Sequence, residues 1–330
     1  MTRRDPVEIA LDRLSALRSA PDTPALQDEL RSFLRNRSNL VVAKAAKIAG
    51  EGRISSVAPD LIDAAQRLFK DPARLDKRCA ALTAIITTLY ELDHTEPNLY
   101  LQCIRHVQME PSFGPPVDAA AHLRGFAAQG LVRTHHPEAL DLIVNLLVDP
   151  EPPARIGAIR ALAANGGSAG NLALRLKILT GDGVVDVIAE CFAGMLLNSG
   201  TVAPESTVAF VADYMDSDDP AIAEAAVLAL GASHSSHAIA FMKEKWNKLR
   251  AGPLKKVLIL SLAASRNEEA LAFLIAHLEA CSNSTASEIL TALAAQRPSA
   301  SIRQSIRSTL AGRKDASLLA AFERDFPAPT

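Results

Sequence analysis

Residues 137–165 read PEALDLIVNLLVDPEPPARIGAIRALAAN: an apolar stripe at helical spacing, an Asp-Pro turn and a second, alanine-rich stripe. The pattern returns at 204–232 (PESTVAFVADYMDSDDPAIAEAAVLALGA) and at 267–295 (NEEALAFLIAHLEACSNSTASEILTALAA). A helix pair with one apolar stripe per helix cannot bury those stripes alone, so neighbouring pairs must stack around a shared core. The repeat therefore predicts an all-α fold, a right-handed α-solenoid of about nine stacked antiparallel helix pairs.

Prolines and turn residues mark where the helix pairs begin. Proline is favoured at the first position of a helix because the N–H that it lacks would have no partner there. Two connections are expected to be longer loops, Glu110–Pro116 (EPSFGPP) and Asn165–Gly170 (NGGSAG), and no segment alternates long enough to predict a strand. The first helices are predicted to begin near Pro24, Pro59, Pro97, Pro137, Ser168, Pro204, His237, Asn267 and Ser299.

These boundaries predict a single solenoid domain over residues 1–330. Residues 1–23 are expected to form a capping helix and residues 24–326 the repeats. The last residues, 327–330, are expected to be a frayed tail.

Composition and charge limit the function classes. Hydrophobic residues make up 48% of the chain and aromatic residues 4%, which suits close packing of small aliphatic side chains. The net charge of −2 differs from the strongly basic character of a dedicated nucleic-acid-binding domain. No apolar run approaches the ~20 residues of a membrane span, and charged residues interrupt the start where a signal peptide needs an apolar core. Four cysteines without close spacing favour reduced thiols in the cytoplasm: Cys79, Cys103, Cys191 and Cys281.

The unit at 137–165 resembles a HEAT-type repeat (HEAT-like, PBS-lyase-type), and weaker units extend the resemblance over nearly the whole chain. The resemblance implies a HEAT-like or armadillo-like superhelix. In HEAT repeats the Asp of the turn and an Arg early in the second helix often build a ladder of hydrogen bonds between units, and Asp149 and Arg155 match that pattern. Other units hold Ala223 and Lys255 at this position, so no continuous ladder is implied. Ile159 is expected in the shared core.

The sequence lacks motifs for catalysis or cofactor binding. It contains no G-x-S-x-G nucleophile elbow and no phosphate-binding glycine loop. Hydroxylases of the HEAT-like type with a di-iron site carry repeated His-Glu pairs, and this sequence contains no His-Glu dipeptide. His234 and His237 fall in a turn between units without nearby acids, so no metal site is predicted. These observations favour a protein that is not an enzyme and that binds no cofactor.

Charged residues are segregated along the chain. We define basic zone 1 as residues 31–53, basic zone 2 as residues 243–256 around the only Trp, Trp246, and the acidic zone as residues 205–224. Trp246 falls on an apolar helical stripe, so packing explains it better than base stacking. The candidate partner-binding residues are Arg31, Arg35, Arg37, Lys44, Lys47, Lys243, Lys245, Lys248, Arg250, Asp216, Asp218 and Asp219.

The sequence thus favours a non-enzymatic scaffold or adaptor that binds a protein or peptide on the solenoid surface. Opposite charge zones orient a partner and speed its encounter. We expect a monomer outside its complex, with no membrane attachment and with a protein in preference to a nucleic acid as its partner. Two alternatives stay open: a bilin lyase-like chaperone or enzyme subunit, because similar repeats occur in proteins that attach bilin chromophores, and a nucleic-acid-binding protein that uses the two basic zones.

Overall fold

Helices joined by short turns account for nearly all regular structure in the computed structural model, which describes residues 5–197, 203–250, 252–313 and 315–326. The prediction of an all-α fold of stacked helix pairs is confirmed. By its contacts the chain divides into two units, Met1–Ala173 and Leu174–Thr330. The predicted tail at 327–330 lies outside the described residues.

Unit 1 contains ten helices and a short hairpin within its described residues. Three-residue 3₁₀ turns at Ser55–Val57 and Lys77–Cys79 precede α4 and α6. The elements are α1 (Pro6–Leu17), α2 (Pro24–Leu34), α3 (Asn39–Glu51), α4 (Ala58–Leu68), α5 (Pro72–Leu75), α6 (Ala80–Glu91), α7 (Pro97–Ile104), β1 (Met109–Glu110), β2 (Val117–Asp118), α8 (Ala121–Arg133), α9 (Ala139–Leu146) and α10 (Pro152–Asn165).

Helix α11 (Gly167–Thr180) contains the boundary residue, and unit 2 continues with further helix pairs. Its other described elements are α12 (Val185–Leu196), α13 (Glu205–Asp213), a 3₁₀ turn at Tyr214–Asp216, α14 (Pro220–Ala232), α15 (Ser236–Lys248), α16 (Pro253–Ala264), α17 (Glu268–His277), α18 (Asn283–Ala295), α19 (Ala300–Arg313) and α20 (Ala316–Asp325). No described helix is both long enough and apolar enough to cross a membrane.

The second helices of successive pairs form one layer in each unit. In unit 1, α3, α6, α8 and α10 pack in sequence, with α1 against α3. In unit 2, α12, α14, α16, α18 and α20 do the same. We call the first of these the second-helix layer of unit 1. Because each second helix contacts the one before and the one after it, the apolar stripes that no pair could bury alone form a continuous core within each unit.

Local signals place the helix starts. All nine first helices begin within two residues of the predicted positions. Side chains cap several of these starts, as the Thr23 hydroxyl accepts a hydrogen bond from the Leu26 amide before α2. The Asn267 amide oxygen does the same for α17. Such caps satisfy amides that have no partner inside the helix, which fixes the start of the helix locally.

Of the two predicted loops, the first is confirmed except for its first residue, which ends a strand, and the second is wrong. Glu110–Pro116 lies within a hairpin, in which Met109 pairs with Asp118 and Glu110 with Val117. This pairing is only two residues long, which is too short for an alternating pattern to show. The prediction of a loop at Asn165–Gly170 is wrong: α10 ends at Asn165 and α11 begins at Gly167. Gly166 and Gly167 both have positive φ values (69° and 77°), so the chain reverses in one step.

Helices α8 and α10 approach each other through two glycines. A methyl group on Gly157 would lie 2.1 Å from the Gly125 Cα atom, so position 157 has no room for a larger residue; a methyl group on Gly125 would lie 3.0 Å from the Pro153 carbonyl oxygen. Ile159, on the core side of α10, is completely buried. The backbone contact sets the depth of the surface between these helices, because no side chains separate them.

Candidate functional site

An open groove of about 940 Å³ crosses the second-helix layer of unit 1. On α3 its lining residues recur every three or four positions, as Leu40, Lys44, Lys47 and Glu51. This spacing is one face of a helix, so a single face of α3 borders the groove. Corresponding faces of α6 and α8 complete it, with Thr83, Thr87, Glu91, His122 and Phe126.

A smaller hollow of about 220 Å³ extends the groove toward α10. It shares His122 and Phe126 with the larger groove. Its far wall includes Ile156 and Arg160, beside the glycine contact of α8 and α10. The two hollows together present one surface from α3 to α10, which we call the unit 1 groove.

The floor of the unit 1 groove has few free hydrogen-bonding groups. Thr83 and Thr87 donate to carbonyl oxygens one turn back on their own helix, at 2.7 and 2.8 Å. Thr88 donates across the layer to the Ala46 carbonyl at 2.9 Å. Because these hydroxyl hydrogens are already bonded, the threonines mainly offer methyl groups to a ligand. Leu40 adds an apolar side chain that is 55% exposed.

Basic residues occur along the unit 1 groove at each helix step. Lys47 on α3, Arg78 just before α6, His122 on α8 and Arg160 on α10 are all exposed. Within the described residues, no carboxylate forms an ion pair with Lys47, Arg78 or His122. Lys44 differs, because its ammonium group donates to the Leu11 carbonyl at 2.8 Å and to the Ser15 hydroxyl. Lys47 and Arg78 are therefore the two exposed cations of the groove for which the described residues supply no carboxylate partner.

Two carboxylates lie at the opposite ends of the same helices. Glu51, at the end of α3, forms an ion pair with Arg18 at 2.7 Å. Glu91, at the end of α6, packs over Gly50: a methyl group there would lie 2.6 Å from the Glu91 carboxylate. Helix C-termini carry partial negative charge, so this edge of the groove is negative while the helix starts and middles are positive.

A buried ion cluster holds the hairpin beside the unit 1 groove. Arg124 on α8 donates to Asp118 at 2.6 Å and, through two nitrogens, to both carboxylate oxygens of Asp149 at 2.9 Å. The Arg124 side chain is 4% exposed. A bidentate Arg–carboxylate pair is among the strongest ion pairs in proteins. The cluster fixes β2 to α8 and α8 to the turn before α10.

Hydrogen bonds and charge together lower the pKa of Asp118. Burial alone would raise this pKa, but it is outweighed by hydrogen bonds from the backbone amides of Gln108 and Ala120 and by the Arg124 guanidinium. The carboxyl group therefore stays ionised in moderately acidic solution. A charged Asp118 is what Arg124 needs as a partner.

The Asp149–Arg155 pattern forms hydrogen bonds within its own turn and with the preceding helix pair. Arg155 donates to the main-chain carbonyls of Asp149 and Pro150, at 2.8 and 3.0 Å. The Asp149 carboxylate is held by Arg124, from the preceding helix pair. Arg124 was not among the residues predicted from the sequence, although Asp118 precedes it by the same six positions that separate Asp149 from Arg155. Asp118 ends a hairpin instead of standing in an Asp-Pro turn, so the turn pattern of the other units does not mark this spacing.

Basic zone 1 is divided between two surfaces. Arg31 and Arg35 on α2 form ion pairs with Asp60 on α4, at 3.2 and 3.4 Å. Arg37 is exposed in the turn before α3. Lys44 and Lys47, one helix later, line the unit 1 groove. Of the candidate binding residues in this zone, only the two lysines are therefore brought together at the groove.

Basic zone 2 is largely occupied by internal contacts. Lys243 pairs with Glu269 at 2.5 Å, Lys245 with Asp216 at 2.5 Å, and Lys248 with Glu244 at 2.7 Å. Trp246 is 5% exposed and packs edge-on against Phe273 and His277. Lys255 lies over its ring at 4.3 Å. Arg250 is exposed.

The acidic zone contributes to the same contacts. Asp216 is the carboxylate that pairs with Lys245. Asp219 caps α14 by accepting a hydrogen bond from the Ala221 amide at 2.9 Å. Asp218 is exposed. Partner binding by these acids and by the lysines of basic zone 2 stays a prediction.

The described residues around the unit 1 groove do not favour nucleophilic catalysis or metal binding. Cys79 lines it, but burial and, next, the Asp76 carboxylate raise the pKa of this thiol to about 12. The thiol is therefore protonated at neutral pH and is a poor nucleophile. Among the described residues, no group of three or more His, Cys, Asp or Glu side chains could hold a metal ion. His234 instead contacts the Ser265 carbonyl at 2.8 Å.

Comparisons with known proteins concern the fold alone. No known protein family matches the sequence, and no curated protein matches it significantly. The structure of human deoxyhypusine hydroxylase in complex with glycerol is similar at 16% identity and a TM-score of 0.31, covering 80% of this chain and 92% of that chain. An engineered protein is similar at 14% identity and a TM-score of 0.42, covering 100% and 97%. At these values neither structure assigns a role to any residue of the unit 1 groove.

Proposed function

We propose that this protein is a non-enzymatic scaffold of the HEAT-repeat type, which binds a segment of a protein partner in the unit 1 groove. The observation that carries the proposal is the groove itself: about 940 Å³ of open surface with an aliphatic floor and charged groups at its edges. Protein-binding surfaces combine apolar contact area with peripheral charges in this way. The four cysteines are free thiols, which suits the reducing conditions of the cytoplasm.

The nature of the floor favours a protein segment over a small substrate. Small-molecule sites enclose most of the ligand and aim a few polar groups at it. Here the groove is open, the threonine hydroxyls donate to backbone, and the thiol of Cys79 is protonated. A chain that crosses several helices gains contact area at each one, which compensates for the lack of enclosure.

Photocrosslinking tests this proposal. A benzophenone amino acid is placed at Thr87, in the groove, or at Gln66, an exposed position on α4, and the full chain is irradiated in native lysate with and without nuclease. We expect one protein to be captured from position 87 in both arms and not from position 66. The variant Thr87→Arg should abolish its co-purification, while Gln66→Arg should not.

The outcomes separate the alternatives. Equal capture from both positions, or none from position 87, would contradict the proposal. Capture that disappears with nuclease would favour the nucleic-acid alternative. A coloured, covalently modified protein after incubation with bilins would favour the lyase alternative. A monomer in size-exclusion chromatography of the purified chain is expected.

A further inference from the structure

We infer that a hollow of unit 2 beside Trp246 binds an oxyanion, which is a carboxylate or a phosphate group. The hollow has a volume of about 520 Å³, and residues from α15 to α18 line it. All of them belong to unit 2, so this site is separate from the function proposed for the unit 1 groove, and its failure would leave that proposal untouched. The inference follows from the hydrogen-bond donors and the charges around the hollow.

The only Trp of the chain contributes a donor without a partner. Trp246 lines the hollow and is 5% exposed. Among the described residues, none accepts a hydrogen bond from its ring N–H, and the ring nitrogen is not one of the fully buried atoms that lack a partner. The N–H therefore reaches accessible space. Because the N–H of a buried Trp usually has a partner, an acceptor on a ligand in the hollow would supply the missing one.

Lys255 places an ammonium group against the same ring. Its Nζ atom lies 4.3 Å from the centre of the Trp246 ring and donates to the Leu249 carbonyl at 3.3 Å. An ammonium group has three donor hydrogens, so this one long bond leaves two of them available. No carboxylate of the described residues forms an ion pair with Lys255. Lys256, its neighbour in sequence, differs because it pairs with Glu288 at 3.3 Å.

Two hydroxyl groups at the start of α18 add another donor. Ser282 and Thr285 line the hollow, and their hydroxyl oxygens are 3.0 Å apart. The pair has two hydroxyl hydrogens and one mutual hydrogen bond, and no other described atom accepts from either hydroxyl. One hydroxyl hydrogen therefore remains available at the hollow. The start of a helix also carries partial positive charge, which favours a negative ligand.

The charge around the hollow is positive. None of its lining residues is Asp or Glu. Arg313 donates to the thiol of Cys281, which lines the hollow, and also to the Leu278 carbonyl and the Asn283 side-chain oxygen. Burial raises the pKa of the Cys281 thiol, so this acceptor is neutral like the other two. Within the described residues no carboxylate pairs with Arg313, and its charge is therefore not cancelled.

An oxyanion is the ligand that matches these groups. Carboxylate and phosphate oxygens accept several hydrogen bonds at once, and bonds from charged donors to them are about twice as strong as neutral ones. Trp246 and Lys255 are in contact, so one oxyanion can accept from both. Ala276 and Ala280 line the hollow as well and offer methyl groups to the molecule that carries the oxyanion.

NMR spectroscopy of the ¹⁵N-labelled full chain tests this inference, because a single Trp gives a single indole N–H resonance. The probes are inorganic phosphate and sodium acetate. The controls are sodium chloride at equal ionic strength and acetamide, a neutral analogue of acetate. We expect at least one of the two oxyanions to move the indole resonance downfield in a saturable titration, because its hydrogen would be donated to an anion, and neither control to move it. The tighter of the two probes identifies the group as phosphate or carboxylate.

Two adjacent lysines provide matched variants. Lys255→Met should weaken binding of the tighter probe at least about tenfold, the size of one hydrogen bond between charged groups. Lys255→Arg keeps the positive charge and should retain binding. Lys256→Met removes an exposed lysine that pairs with Glu288 and borders a different hollow, so binding should stay within about twofold of the parent chain.

Several results would overturn the site. If chloride moves the indole resonance as far as phosphate and acetate do, the effect is one of ionic strength. If neither oxyanion moves the resonance, the Trp246 N–H does not donate to an anion. Equal losses of binding in Lys255→Met and Lys256→Met would indicate a diffuse attraction by surface lysines instead of a defined site.

Discussion

Basic zones 1 and 2 look alike in sequence and differ in structure. Each places six cations within a short stretch against a single acid. In basic zone 2, Lys243, Lys245 and Lys248 are each paired with a carboxylate. In basic zone 1, the arginines of α2 are paired on one surface, while Lys47 stands open on another. A count of charges along the sequence therefore does not measure the charge available to a partner.

The difference arises from which residue lies one helix pair away. Arg31 reaches Asp60 and Lys245 reaches Asp216, each across 29 positions. Arg124 reaches Asp149 across 25 positions. These separations are close to one repeat, because side chains at equivalent places in stacked units are neighbours. Arg31, Lys245 and Arg124 are paired because the adjacent helix pair supplies an acid, whereas the described residues supply none for Lys47.

The largest effect is expected where a cation is both paired and buried. Arg124→Met should lower the free energy of unfolding by about 3–5 kcal/mol, because Asp118 and Asp149 would remain buried without their cation. Urea unfolding followed by circular dichroism measures it. The control Arg105→Met removes an exposed pair with Glu138 and should cost about 0.5 kcal/mol. If both variants lose a similar free energy of unfolding, the buried cluster contributes no more stability than an exposed ion pair, which would contradict the prediction.

The glycine contact that shapes one end of the groove should be the next most sensitive. Gly157→Ala would place a methyl group against the Gly125 backbone and force α8 and α10 apart, at a cost of about 1–3 kcal/mol. Thermal unfolding compares it with Gly312→Ala, where nothing lies within 4 Å and the exchange should be neutral or stabilising. If Gly157→Ala leaves the thermal stability unchanged, α8 and α10 can separate without cost, which would contradict a close backbone contact between them.

Acid titration should distinguish the buried cluster from surface pairs. The folded-state pKa of Asp118 is lowered, so its contribution is complete above the unfolded value of about 3.9 and is lost as the pH falls through the folded value. At neutral pH, Asp118→Asn should cost about 2 kcal/mol, the size of a hydrogen bond to a charged group. The difference from the parent chain should shrink below about pH 4. A difference that is constant from pH 7 to pH 2.5 would contradict the lowered pKa.

The smallest effects on stability are expected when single lysines of basic zones 1 and 2 are replaced. Lys245→Met should cost about 0.5–1 kcal/mol, since its ammonium group pairs with an exposed Asp216. Lys47→Met should stay within about 0.5 kcal/mol of the parent, because no such pair is lost. Urea unfolding of both variants and of the parent chain under the same conditions measures the difference in their free energies of unfolding. A larger loss for Lys47→Met would mean that Lys47 is a structural residue.

Much of the fold could be predicted because its signals are local. Proline at helix starts, caps such as Thr23 and apolar spacing depend on residues within one or two turns, and they placed the nine first helices. The hairpin at Met109–Asp118 could not be predicted because its strands are only two residues long. The one-step reversal at Gly166 depends on the positive φ that glycine permits, which the composition of the segment does not distinguish from a loop.

The site could be predicted only in part because its contacts are one repeat apart. The charge pattern of the sequence indicates Lys44 and Lys47 but groups them with Arg31 and Arg35, which lie on another surface because the chain turns between α2 and α3. Arg78, which lines the groove and is exposed, was not among the predicted binding residues. An alignment of the repeats would have shown which acid stands opposite each cation, and so which cations remain open.

The most direct test of the account is affinity purification with two matched double variants of the full chain. Lys47→Glu with Arg78→Glu reverses two open charges of the unit 1 groove, and Lys248→Glu with Arg250→Glu reverses two exposed charges of basic zone 2. All four changes are at exposed positions, so both chains should fold as the parent does. Loss of the partner from the groove variant alone is the predicted result. Loss from the basic zone 2 variant, with the groove variant still bound, would contradict the claim that the open groove is the binding surface.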